Sequence, residues 1–207
     1  MDYLSKARMV AQPLAESMGL SIWGAEFVPG GRAVLRFFVE KSKGIRQLSQ
    51  NSPVCECVEQ IESVSVNECA EFSRLLGLAL DAEGNFNFTW VLEVSSPGFE
   101  RLFFSLEQLN GFIGQTISVT VNDTPLDWKD TGVQSKQRKK FVGTLLQVND
   151  GKFTLSIPKA QRLPDEPEVV SIDWNSVRRA HLVHDFSSGF TASKFLKGNS
   201  KAKGRKL

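Results

Sequence analysis

Between Trp90 and Gly111 the chain sets a strand, a fixed turn and a short helix end to end without a spacer, and no other run constrains the fold as much. Trp90, Leu92 and Val94 alternate with Val91, Glu93 and Ser95, the period of a strand with one strongly apolar face. Pro97 cannot donate a ladder hydrogen bond and Gly98 accepts positive φ, so the strand has to stop there. Ser105 with Gln108 three residues on has capping-box spacing, and Gly111 supplies a C-terminal stop for a helix over 105–110. A chain that turns at so defined a point is expected to carry a hinge between two domains.

Upstream, Leu4, Ala7, Val10, Ala11, Leu14, Ala15 and Met18 recur at helical spacing as far as Gly19, predicting an amphipathic helix over 3–18 kinked at Pro13. Residues 20–28 and 33–40 alternate instead. Trp23, Ala25 and Phe27 are expected on one face of the first run and Leu35, Phe37 and Val39 on one face of the second, with Pro29-Gly30-Gly31 turning the hairpin. The period then fails over 41–64, which reads as a long surface insertion. Ser65 and Glu68 form a second capping box, opening a helix whose buried stripe is Cys69, Phe72, Leu76, Ala79 and Leu80 and which ends near Asp81. Residues 1–110 therefore read as an α-β-β-α-β domain, an α+β layer with its helices on one face of a three-stranded sheet.

From Gln115 the texture changes to short strands at 115–121, 139–148, 152–157, 168–172 and 178–183, with Asn149-Asp150-Gly151 as a hairpin signal. Several short strands without a long helix predict a small barrel over 111–185. Residues 186–207, rich in Lys, Gly and Ser, read as a flexible basic tail.

Charge is divided between these segments. Residues 1–110 hold 9 basic and 14 acidic side chains, residues 111–185 hold 10 and 9, and residues 186–207 hold 6 and none. An acidic first half repels phosphate and suits a basic protein surface, whereas a basic tail suits nucleic acid or serves solubility alone. Lys136, Arg138, Lys139 and Lys140 gather beside one loop, and Lys201, Lys203, Arg205 and Lys206 close the tail. No apolar run approaches a membrane span and the N-terminus lacks a secretory core, so a cytoplasmic protein is expected. Three cysteines in a chain of 207 residues fit free thiols.

Catalytic chemistry finds little to work with. His181 and His184 are three apart, so alternation sends them to opposite faces, and neither they nor Cys55 and Cys57 have a third metal ligand at a usable spacing. Ser95-Ser96 lacks the glycines of a nucleophile elbow, and no phosphate-cradling glycine loop occurs. Glu93, Glu100 and Arg101 have nothing converging on them and read as an ion pair or an interface. No catalytic residue, metal or cofactor is expected. Trp174, at a turn, is the best candidate for an exposed stacking platform; the alternative is that it packs under the barrel.

The run Leu92-Glu93-Val94-Ser95-Ser96-Pro97-Gly98, followed by Glu100-Arg101, resembles the signature of the bacterial ribosome maturation factor RimP family. Val64 to Cys69 and Ser73-Arg74 are similar to that family's second helix, Phe112-Ile113-Gly114 to its domain junction, and Phe141 to Leu146 and Glu168 to Val183 to its barrel strands. The resemblance covers most of residues 3–183. It implies a SH3-like or Sm-like C-terminal barrel and a cytoplasmic, non-enzymatic factor, expected as a monomer, that binds the immature small (30S) ribosomal subunit. The implied partners are 16S rRNA and a basic small-subunit ribosomal protein near the decoding region, with neither membrane nor small-molecule substrate. On that reading Glu93, Ser95, Ser96, Glu100 and Arg101 meet the protein, and the basic residues of the loop and tail meet rRNA. A stand-alone Sm-like RNA-binding regulator is the alternative. Where the family usually continues Asp-Arg-Pro-Leu this chain has Glu100-Arg101-Leu102-Phe103, so the rigidity of the second proline is missing and a fixed and a swinging hinge are both open.

Overall fold

The structure, a computed structural model, describes residues 2–42, 63–84, 88–122, 138–162 and 167–184. Asp2 caps the first helix by accepting from the Ser5 N–H at 2.6 Å, and α1 runs over Tyr3–Ser17, continuous through Pro13. Its stripe of Ala7, Ala11 and Ala15 is fully buried, which lets the helix lie close on the sheet. Gly19 takes a φ of 67° to turn the chain into β1, Leu20–Val28. β2, Ala33–Lys41, pairs antiparallel with β1, and β3, Trp90–Ser95, adds parallel to β2, giving the order β1-β2-β3.

The parallel step needs a crossover, and it contains α2, Val66–Glu83. Ser65 Oγ accepts from the Glu68 N–H while Glu68 accepts from the Ser65 N–H, the two halves of a capping box. Phe72, Leu76 and Leu80 of α2 meet Leu35, Phe37 and Val39 of β2 in one core with the alanines of α1, so both helices cover one face of the sheet. Cys69 and the row Trp90, Leu92 and Val94 close that core from its edges.

One expectation about this sheet is wrong. Trp23 does not share a face with Ala25 and Phe27, because the β1–β2 register shifts between Ile22 and Gly24. The bulge at Trp23 adds a residue to one strand only, and every later side chain changes face. Ile22 and Phe27 pack on the first core, whereas Trp23 packs on the second.

The second core begins inside the stretch expected to be only a linker. β4, Leu102–Phe103, pairs antiparallel with β9, Val177–Leu182, and α3, Leu106–Leu109, buries Leu109 beneath the same sheet. Gly111 does not stop this helix. The chain tightens into a 3₁₀ turn over Asn110–Phe112, and positive φ falls at Gly114 instead.

β5, Thr116–Val121; β6, Lys140–Asn149; β7, Lys152–Ser156; and β8, Val169–Asp173 fall close to the expected strands. Gly151, with a φ of 76°, turns the hairpin between β6 and β7. All pairings are antiparallel, in the order β4-β9-β5-β6-β7-β8. The expected β-rich second half is present as a six-stranded sheet, one strand more than expected, in which no ladder joins β8 to β4 among the described residues. Trp174 is no exposed platform: it packs on the second core with its ring edge-on to Phe153 at 6.2 Å. No described helix is long and apolar enough to cross a membrane. The insertion around Cys55 and Cys57, Lys136 and the whole tail lie outside the described residues.

Candidate functional site: the cleft between the two cores

The joint between the cores is built from the bulge. The Trp23 indole N–H donates to the Leu102 carbonyl at 2.6 Å, and the Trp23 carbonyl accepts from Gln108 Nε2 at 2.6 Å. The other end of that amide, Gln108 Oε1, accepts from the Phe104 N–H at 2.7 Å and the Ser105 N–H at 3.3 Å. One glutamine thus caps α3 and holds β1. The Arg101 guanidinium lies 4.9 Å from the centre of the Trp23 ring, with its Nη1 3.4 Å from Glu40 Oε2 on β2. Stacking on indole and facing a carboxylate are both favourable for a planar cation. Leu102-Phe103, expected to be linker, is thus a strand hydrogen-bonded to β9 on one side and to an indole on the other.

The outer face of the first sheet, away from the helices, looks across this joint. Two side-chain rows cross all three strands there. Glu26, Arg36 and Glu93 are in register, with Arg36 bonded to Glu93 at 2.7 Å and Glu26 at 3.1 Å. The Glu93 hydrogen bond, foremost among the causes, raises the Arg36 pKa above its ordinary value. In the next row stand Gly24, Phe38 and Ser95. The missing side chain at Gly24 leaves a notch that receives the Phe104 ring, whose centroid lies 5.6 Å from that of Phe38.

Facing them on the second sheet, Arg179 and His181 share a face of β9, two residues apart. Arg179 is in register with Thr120 on β5, and Thr120 with Lys140 on β6, so these cations project from one row. His181 is paired with Leu102 on one side and Ser118 on the other. Burial pushes the His181 pKa down; Glu100 opposes that shift, while Lys140 and Arg179 add to it.

The two faces enclose an open cleft of about 440 Å³. Arg36, Phe38 and Ser95 line it from the first sheet, Pro97 and Glu100 from the turn, and Leu102, Arg179 and His181 from the second sheet.

The residues expected to form one protein-binding site are divided by this geometry. Ser95 and Glu100 lie exposed at the cleft and Ser96 is exposed beside them, but Glu93 is engaged by Arg36 and Arg101 by Glu40 and Trp23. Among the loop cations, Lys139 and Lys140 are exposed. Arg138 instead donates to the carbonyls of Lys140 and Gln161 at 2.8 and 2.7 Å and lies over the Phe141 ring. Arg179 and His181 were not expected to serve as site residues. Their shared parity on the last strand was the available signal, but nothing in the sequence says which face meets the first sheet. His184, past the strand, meets the Phe99 ring at 5.6 Å. Among the described residues no group of three or more His, Cys, Asp or Glu is placed to hold a metal.

A helix-backed α+β layer fixed through its linker to an antiparallel sheet, with charged and aromatic groups lining the cleft between them, defines a two-core α+β class. Residues 10–100 match the family model described as the RimP N-terminal domain. A protein of Lawsonia intracellularis called ribosome maturation factor RimP is 41% identical over 174 residues, covering 84% of this chain and 83% of its own. Proteins of the same name from Nitratidesulfovibrio vulgaris strain Miyazaki F and from Desulfovibrio desulfuricans are 34% and 32% identical, each across 86% of this chain and 79% and 78% of their own. The chain belongs to the RimP family of ribosome maturation factors.

Proposed function

We propose that this protein is a cytoplasmic ribosome maturation factor that binds the free or immature small ribosomal subunit and assists its late assembly by binding alone, without catalysis. The observation that carries this reading is the 41% identity to a ribosome maturation factor over 84% of the chain. A factor of this kind acts by favouring one arrangement of rRNA and protein among assembly intermediates, then leaves when its preferred surface is buried.

The first core, with its acidic excess, docks a basic small-subunit ribosomal protein near the decoding region, with Glu100, Ser95 and Ser96 at the contact. Glu93 and Arg101 shape that contact through their pairs with Arg36 and Glu40. The second sheet faces 16S rRNA through Lys139 and Lys140, assisted by Lys136 and the tail cations Lys201, Lys203, Arg205 and Lys206. Arg138 holds the start of β6 in place for them. We further propose that this sheet curls into the SH3-like barrel of the family. That reading is supported by inward side chains of β5 to β9 meeting in one core. The protein acts as a monomer.

Sedimentation tests the proposal. Travel with free small subunits but not with mature ribosomes, together with accumulation of unprocessed small-subunit rRNA when the protein is lost, is the expected result. Binding to short messages with no association with subunits refutes it.

A further inference from the structure

The cations of the described residues include some held by intramolecular partners and some that face outward. Arg36, Lys41, Arg101 and Arg162 sit in ion pairs and Arg138 on carbonyls. Lys140 and Arg179, by contrast, make no ion pair among the described residues, although they stand in one cross-strand row. Arg179 and His181 open into the interdomain cleft. Opposite them lie the half-exposed Phe38 ring and Pro97, with the Ser95 hydroxyl in the same row as Phe38. Phe104 braces the Phe38 ring from one side.

A guanidinium with an imidazole beside it, across from an aromatic surface, fits a nucleotide, which carries a phosphate and a stacking face on one unit. An acidic peptide matches only the cationic half and leaves the aromatic surface unused, while Glu100 at the rim opposes either anion. With about 440 Å³ of open space the cleft has room for one nucleotide that stays exposed on one side, as a unit within a longer strand does.

We propose that the interdomain cleft binds one unpaired nucleotide of an RNA strand, its phosphate against Arg179 and His181 and its base against Phe38. Lys140 meets the phosphate of the neighbouring nucleotide. This rests on the proposed small-subunit reading and adds to it a site where a flexible rRNA segment inserts between the cores, clamping the strand where the two cores meet. Unpaired RNA is the form whose bases are free to stack in this way.

Fluorescence anisotropy of the full chain with a labelled eight-nucleotide oligouridylate tests the site. The wild type is expected to bind it. Arg179→Glu and Phe38→Leu are each expected to weaken binding about tenfold or more, Arg179→Lys to retain most of it, and Arg8→Glu, exposed on α1 across the first sheet from the cleft, to leave it unchanged. Thermal melts establish that the variants fold, and Arg179, being exposed, tests the site even if Phe38→Leu loosens the joint. The proposal is overturned if both cleft variants bind like wild type. It is also overturned if uridine monophosphate binds as tightly as the oligomer, which marks a free-nucleotide site, or if octaglutamate competes as strongly as RNA. Cosedimentation of the wild type with small subunits, measured in parallel, separates the two ideas. Subunit binding retained without any cleft effect on RNA removes this site alone, whereas loss of subunit association removes the underlying reading.

Discussion

Gly24→Ala tests whether the notch in the first sheet holds the two cores together. A Cβ at this position would lie 2.0 Å from Cδ2, 2.1 Å from Cε2 and 2.6 Å from Cγ of Phe104. Ordinary contact begins near 3.4 Å, so the ring has to retreat by roughly 1.4 Å at its closest atom. It cannot do so alone, because its centroid is 5.6 Å from Phe38 and its backbone N–H is bonded to Gln108, which also holds Trp23. Overpacking of this kind costs about 1–3 kcal/mol, offset by roughly 0.4–1 kcal/mol from the stiffer unfolded chain. We expect a net loss of about 1–2 kcal/mol. Phe104→Ala, at a half-buried ring, should cost less than the roughly 3–5 kcal/mol of a fully buried one. With the ring gone the three atoms nearest the added methyl group are gone too, so the double variant should be no less stable than Phe104→Ala alone. The assay is urea unfolding of the four proteins followed by circular dichroism and tryptophan fluorescence. A coupling energy of at least about 1 kcal/mol is expected, whereas independent sites add within about 0.3–0.5 kcal/mol. Additivity within that margin, or a Gly24→Ala midpoint equal to wild type, would refute the argument.

Two other substitutions probe the linker and the second helix. The Leu182 N–H donates to the Arg101 carbonyl, so Leu102, paired with His181, occupies a position whose own N–H points away from β9. Leu102→Pro is therefore expected to fold with its midpoint unchanged or raised by up to about 1 kcal/mol; a loss above about 2 kcal/mol in the same urea assay overturns this register argument. Glu68 accepts from Lys41 Nζ and from the Ser65 N–H, and these bonds, Lys41 first, pull its pKa down to about 2. A carboxylate depressed in the folded state stabilises above its unfolded value near 4.5 and loses that contribution as pH falls towards 2. Glu68→Gln should flatten the stability–pH curve between those limits and leave it parallel above; an unchanged slope there removes Glu68 from acid unfolding.

Most of the secondary structure was legible because it depends on local chemistry. The stripe Phe72, Leu76 and Leu80 together with the Ser65–Glu68 box defines α2, and the alternation Leu35, Phe37 and Val39 defines β2. Trp23 was misplaced for a reason periodicity cannot see: a bulge reverses the parity of the side chains beyond it and depends on the partner strand. Gly111 misled because a helix can also end by tightening into a 3₁₀ turn, here carried to Phe112. Counting strands gave β5 to β9 of the second sheet but missed the two residues of β4, and closure into a barrel depends on register between β8 and β4, which alternation does not encode. The charged residues were visible individually. Which were available was not, since Arg138 is drawn onto the carbonyls of Lys140 and Gln161 while Arg179, unremarkable in sequence, faces the cleft.

The pairing of β4 with β9 also orders events during synthesis. Every strand and helix of the first core lies before Ser96, so that core can form once residue 95 has left the exit tunnel. The two residues of β4 follow at once, but their partners, Ala180 and His181, are made almost eighty residues later. Domains fold as they emerge, N-terminal first, and contacts across long separations close last. The joint that fixes the cleft is thus among the final parts of the molecule to be completed. A chain released before β9 can carry the acidic core intact and still lack the wall formed by Arg179 and His181.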